Sequence, residues 1–196
     1  MALIKVILGS TRPNRFGVQP AHWVMEQAKK VTEHQFELID LQEVNLPLLD
    51  EPTPPMMQQY TKDHTKAWSK MISEADGFIV VTGEYNHSIP AALKNAFDFL
   101  FAEWGYKPVS FVSYGSLAGG ARAVEHLRGV AGELRMFDLR EQLLMPDYWN
   151  NLDEQGQHAF EDSHEGQINK ILTQTAFWAD KMKPARAEFE AQSKQA

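Results

Sequence analysis

The sequence predicts an α/β fold, a parallel sheet wound on both faces by helices, and three observations lead there. Short β-branched and aromatic runs alternate with segments of helical spacing, in the order βαβαβαβαβα over 196 residues. The first run, Leu3 to Leu8, is nearly continuous rather than alternating, as in a strand covered on both faces. The loops leaving strands one, three and four are unusually rich in glycine, serine and asparagine. Right-handed crossovers place such loops together at the carboxyl edge of the sheet, where folds of this kind bind ligands.

In order, Leu3–Leu8 is a strand, and Gly9 to Gly17 (GSTRPNRFG) cannot extend it. Val18 to Val31 has the helical spacing of Trp23, Val24, Ala28 and Val31. Gln35 to Leu41 is the second strand. Asn45 to Gln59 carries Pro47, Pro52, Pro54 and Pro55, a density that predicts a stiff irregular surface crossing, or a rim over a ligand. A helix over Thr61 to Glu74 turns Trp68, Met71 and Ile72 inward. The third strand, Gly77 to Val81, leads through GEYNHSIP into a helix from Ala91 to about Trp104. Val109 to Tyr114 is the fourth strand, followed by GSLAGG and a helix from Ala121 to about Leu134. A fifth strand lies within Phe137 to Met145. An aromatic connection (Pro146, Tyr148, Trp149) then precedes a last helix, Glu161 to Lys181. Residues 1–183 read as a single domain, which at this size buries about 70% of its unfolded surface. Residues 184–196 read as a polar tail that frays.

Composition narrows the function. A net charge of −7 disfavours nucleic acid or an anionic membrane as the main partner, so any anion site is a local exception. With no cysteine, disulfides, thiolate catalysis and cysteine-ligated metals are excluded. No apolar run approaches the ~20 residues of a membrane span. The expected setting is soluble and cytoplasmic.

Chemistry gathers in the three loops. After strand one, the helix-start amides and the hydroxyls of Ser10 and Thr11 face one space, and Arg12 and Arg15 add positive charge suited to forked bonds with phosphate oxygens. The other reading is that both arginines are solvated. The loop is neither GxxxxGK[ST] nor GxGxxG. After strand three, Pro90 opens the helix and leaves the amides of Asn86 to Ile89 free for a planar, polar-edged ligand. After strand four, Gly115, Gly119 and Gly120 serve either close approach to a ligand or only the turn. Of the seven histidines, none shows HExxH spacing, and there is no G-x-S-x-G elbow. His87 reads as a solvated loop residue, and Lys94 with Asp98 as a helix-surface or subunit-contact ion pair.

Three motifs, GSTRPNR (9–15), EYNHSIPAALKNAFD (84–98) and SYGSLAGG (113–120), resemble those of the NADPH-dependent FMN reductase family of flavodoxin-like flavoproteins. The likeness covers about Leu3 to Leu144, and the middle motif is the most specific. The family usually has proline before Glu-Tyr-Asn, where this chain has Gly83. The resemblance implies a flavodoxin-like three-layer doubly wound sandwich with a five-stranded parallel sheet in the order 2-1-3-4-5. It implies FMN, its phosphate held by Ser10, Arg12, Arg15, Gly17 and Val18. Its ring would be bordered by Gly83, Glu84, Tyr85, Asn86 and Ser88 and closed by Ser113, Tyr114, Gly115, Gly119 and Gly120. It also implies an oxidoreductase passing a hydride from NADPH through flavin to a flavin, quinone, azo or metal-oxyanion acceptor, with no metal site. Flavin chemistry would explain the missing acid–base pair. Arg122 and Arg128 are candidates to read a 2′-phosphate. The rival reading is a flavodoxin-like electron carrier, against which Arg12 and Arg15 weigh, since flavodoxins generally use a hydroxyl-rich loop without arginines. The family is typically dimeric, and a homodimer or homotetramer is expected. The apolar excess of Phe97, Phe101 and Trp104 suggests a partner helix or, alternatively, cover by the chain's own last helix.

Overall fold

A computed structural model describes residues 1–193. Its strands are β1 (Leu3–Leu8), β2 (Gln35–Asp40), β3 (Gly77–Gly83), β4 (Pro108–Tyr114) and β5 (Phe137–Met145). They form one sheet in the predicted order, β2-β1-β3-β4-β5, parallel throughout. Every residue of β3 and β4 is buried, which is why their sequences run apolar without alternation. The edge strands β2 and β5 keep exposed positions.

The helices are α1 (Val18–Ala28), α2 (Leu41–Val44), α3 (Asp63–Ser73), α4 (Ala91–Asp98), α5 (Ala121–Glu133) and α6 (Asp162–Ser193). Successive strand residues face opposite ways, so β3 divides its side chains between two cores. Ile79 and Val81 join Val24 of α1 and Ile168 and Leu172 of α6. Phe78 and Val80 join Trp68 of α3, Leu93 of α4 and Leu127 of α5.

Four expectations are corrected. The second strand stops at Asp40, whose carboxylate accepts from the Gln42 amide at 2.9 Å and starts α2 at Leu41. The helix expected from Ala91 to Trp104 ends at Asp98 and gives way to a 3-10 turn at Ala102–Trp104. Phe97, Phe99, Leu100 and Trp104 are all buried, more directions than one regular helical face can cover. Phe97 and Trp104 of the aromatic ridge are buried within the chain itself, in the core on the face of the sheet away from α6, while Phe101 is half-buried against it. Trp104 packs on Phe97 (ring centroids 4.6 Å apart), Phe78 (5.0 Å) and Trp68 (6.0 Å), and the Trp68 indole donates to the Ala96 carbonyl at 2.9 Å. Finally, the expected tail continues α6 to Ser193, while residues 194–196 lie outside the described residues. What holds it is Asp76, buried at the amino edge of the sheet, which accepts from Lys183 (2.7 Å), Arg186 (2.8 Å) and the Leu3 amide (3.0 Å). Burial works against that carboxylate's charge, yet these donors keep its pKa below the ordinary value.

Lys107, just ahead of β4, is buried with its ammonium on the carbonyls of Ile72 (2.8 Å) and Ser73 (3.2 Å) at the end of α3. Burial, aided by the nearby Arg186, lowers its pKa from 10.5 to about 7. Between those two values the unfolded chain binds more protons than the folded one, so stability rises with pH across that window. Urea midpoints at pH 7, 8.5 and 9.5 should increase, and Lys107→Met should flatten the increase. Trp68→Ala should lower stability by about 3–5 kcal/mol in the same assay, because it empties the centre of the aromatic cluster.

Candidate functional site

The three loops meet as the topology requires. The first is tied to β3 by the Gly9 amide on the Val81 carbonyl at 2.9 Å. Ser10 is fully buried and shares a hydrogen bond with the Tyr85 hydroxyl at 2.9 Å. Arg15 is largely buried and ion-paired with Asp40, while its Nε is buried without a partner. Arg12 is exposed, and its guanidinium has no partner among the described residues.

In the second loop, Tyr85 and Ser88 exchange backbone hydrogen bonds of 2.8 and 3.0 Å. Asn86 (φ 49°) and His87 (φ 65°) form the two-residue turn between them, the mirror-image type that needs both central residues left-handed. The Ser88 amide is therefore spent inside the turn, not offered outward as expected. Pro90 lies one residue ahead of α4 and accepts from the amides of Leu93 and Lys94 at 3.0 and 3.2 Å. Lys94 and Asp98 form the expected surface pair at 2.6 Å.

In the third loop, the Ser113 hydroxyl donates to the Gly119 carbonyl at 2.9 Å. A Cβ on Gly120 (φ 87°) would come within 2.6 Å of the Ser113 Cβ. Gly119 and Gly120 thus serve the turn into α5. Gly115, where a Cβ would meet the Gly120 nitrogen at 3.1 Å and the Glu84 Cβ at 3.4 Å, instead borders the space between the loops.

That space is a cavity of about 230 Å³. Of the fifteen residues singled out in the sequence, Arg12, Arg15, Gly83, Glu84, Tyr85, Tyr114 and Gly115 line it. Ser10, Gly17, Val18, Asn86, Ser88, Ser113, Gly119 and Gly120 lie behind or beside it and shape its walls. Four lining residues were missed: Phe16, Ser116, Tyr148 and Trp149. Phe16 stacks on Tyr148 (3.9 Å, 21°), and Tyr114 meets both edge-on at 5.1 and 5.6 Å. The signal for Tyr148 and Trp149 was their place after β5, which delivers them to the same edge as the other loops.

The cavity carries one exposed guanidinium at its rim, a glycine-lined polar side at Gly83 to Tyr85, and an aromatic wall. Its carboxylate, Glu84, is engaged by Arg122 through Nε at 2.5 Å, Nη2 and the backbone amide at 3.2 Å. Burial would raise its pKa, but the Arg122 contacts outweigh burial and hold it low. Burial pushes the Tyr114 hydroxyl up. The lining holds no histidine and no free carboxylate, so its residues can bind an anion beside a flat polar ring rather than shuttle protons. The orphaned Arg15 Nε and unpaired Arg12 fit the phosphate of FMN, and the aromatic wall opposite the Gly83 to Tyr85 side fits its ring. Neither arginine proposed for a 2′-phosphate is free. Arg122 is bound to Glu84, and Arg128 to Asp138, Glu125 and the carbonyls of Leu139 and Arg140.

Residues 2–150 match the family model described as NADPH-dependent FMN reductase. The chain is 47% identical over 135 residues to an NAD(P)H-dependent FMN reductase of Schizosaccharomyces pombe, covering 68% of this chain and 67% of that one. It is 37% identical over 145 residues to a 2-hydroxy-1,4-benzoquinone reductase of Burkholderia sp, covering 68% and 73%. The alignments thus span about two thirds of each chain. Among solved structures, it is similar in fold to FerB, a flavoenzyme NAD(P)H:(acceptor) oxidoreductase from Paracoccus denitrificans, with a TM-score of 0.67, 19% identity and coverage of 93% and 99%. With a matching family model over three quarters of the chain and a relative 47% identical, the chain belongs to the NADPH-dependent FMN reductase family, FMN-dependent oxidoreductases that use NAD(P)H as electron donor.

Proposed function

We propose that this cavity holds FMN, with Arg12 and Arg15 on the phosphate and Gly83, Glu84, Tyr85, Tyr114 and Gly115 around the ring, and that the acceptor is a quinone or a free flavin. The observation that carries the reading is that Arg12, exposed and unpaired, lines the same cavity as the Glu84–Tyr85 segment. Bound FMN supplies hydride chemistry with NADPH. The protein's part is to fix the phosphate with Arg12, border the ring with residues 83–85, and exclude water with Phe16, Tyr114 and Tyr148. Ser10, Gly17, Val18, Asn86, Ser88, Ser113, Gly119 and Gly120 support this through the shape of the loops. The acceptor class draws on the names of the two relatives.

The reading extends to assembly. Ligand pockets usually hold about 300–1,000 Å³, more than this cavity of about 230 Å³, and Leu117 and Trp149 are exposed beside the lining residues Ser116 and Tyr148. A second copy covering that rim would complete the pocket, so the working form is a homodimer or a pair of such dimers. A cytoplasmic setting, with NADPH at hand, fits a cysteine-free acidic chain, and no helix among the described residues is long and apolar enough to cross a membrane.

Purified protein should be yellow and oxidise NADPH when a benzoquinone is added. Protein that stays colourless and takes up no added FMN would sink the reading. Arg12→Ala should weaken FMN binding about 10- to 100-fold, the value of a charge-assisted phosphate contact, measured by quenching of flavin fluorescence.

A further inference from the structure

Helix α5 holds the loop after β3 at two points one helical turn apart. Arg122 grips Glu84 with its guanidinium and its amide, and four residues on, the His126 ring nitrogen Nδ1 shares a hydrogen bond with the Ser88 hydroxyl at 2.9 Å. The loop residues so held, 84 and 88, are also four apart. They flank the turn at Asn86 and His87, and the Glu84 amide is fixed to the Tyr114 carbonyl at 3.1 Å. The Glu84 side chain is only 6% exposed, so its charge is barely screened by water.

We infer that Arg122 is a positioning residue that sets the electrostatics of the redox ring through Glu84. This rests on the assignment of the cavity to FMN. A flavin ring becomes more negative as it takes up electrons. An unpaired carboxylate lining the same cavity opposes that change, and a paired one leaves it nearly alone. Arg122 cancels the Glu84 charge and holds the carboxylate back against the start of α5, where the helix dipole also favours an anion. A purely structural clasp would shift the potential little or in one direction whichever partner is neutralised, whereas an electrostatic one shifts it in opposite directions.

The test compares wild type, Glu84→Gln, Arg122→Met and the double variant, each loaded with FMN, by midpoint potential against reference dyes and by FMN affinity. Arg122→Met should lower the potential and weaken FMN binding, because it leaves a bare buried carboxylate. Glu84→Gln, nearly the same shape, should raise the potential, because it leaves the guanidinium uncompensated. The double variant should return towards wild type. If Arg122→Met does not fold, the rise in Glu84→Gln still decides the matter. Potentials that stay together, or that move the same way in both single variants, overturn the inference while FMN uptake leaves the site assignment standing. A wild-type protein that takes up no FMN overturns both.

Discussion

One tyrosine ring fitted between two glycines is the constraint on which the site depends. Tyr114 ends β4, and its buried side chain reaches across to the start of α1 and the end of β3. A Cβ on Gly17 would lie 2.6 Å from its hydroxyl, and one on Gly83 would lie 2.9 Å from its ring, separations that real side chains do not reach. The missing side chains let three loops from three strands close on each other. Phe16 and Tyr148, packed edge-on to the same ring, draw in the loop after β5. Gly83, where the family usually has proline, is accounted for locally, because the Tyr114 ring fills the space a side chain would need.

Charge is distributed by the same logic of pairing. The chain is acidic overall, yet arginines stand around the carboxyl edge. Arg15 is matched to Asp40 and Arg122 to Glu84. These pairs fix the loops without adding net attraction for an anion, which falls instead to Arg12. The phosphate site proposed at Arg12, in a protein that otherwise repels polyanions, would result from this division. The number of arginines would not produce it.

The strands, their order and the convergence of their loops were legible because central parallel strands must be apolar on both faces, as Phe78 to Val81 shows directly and Val109 to Val112 shows apart from Ser110, whose hydroxyl is paired with that of Thr175. Turn chemistry was half legible. The Asn86 and His87 pair signals no standard hairpin turn, so its left-handed backbone could not be read from residue type. The ends of α4 and α6 were hidden for a different reason. Whether Phe99 is buried depends on α3 lying across it, and whether residues after Pro184 stay helical depends on Asp76, more than a hundred positions earlier in the chain. Among the candidate site residues, those that line the cavity and those that only build its walls carry the same polar signature. Ser10 reads as a ligand hydroxyl, and only the structure shows it turned to Tyr85.

The two edges of the sheet therefore answer to different demands. The amino edge carries buried Asp76 with its two cations, Lys183 and Arg186, and buried Lys107 on the end of α3, all engaged with the chain itself. The carboxyl edge carries an arginine without a partner and an aromatic wall open to a ligand. A seven-residue strand separates the two by about 20 Å, a distance at which two unit charges interact by less than about 1 kcal/mol at an effective protein dielectric of about 20. Protonation at the amino edge can then change how firmly the sheet is held while altering the field at the other edge little. The ring answers to groups that share its edge, and of these Glu84 is the one carboxylate lining the cavity, which puts Arg122 in control of its charge.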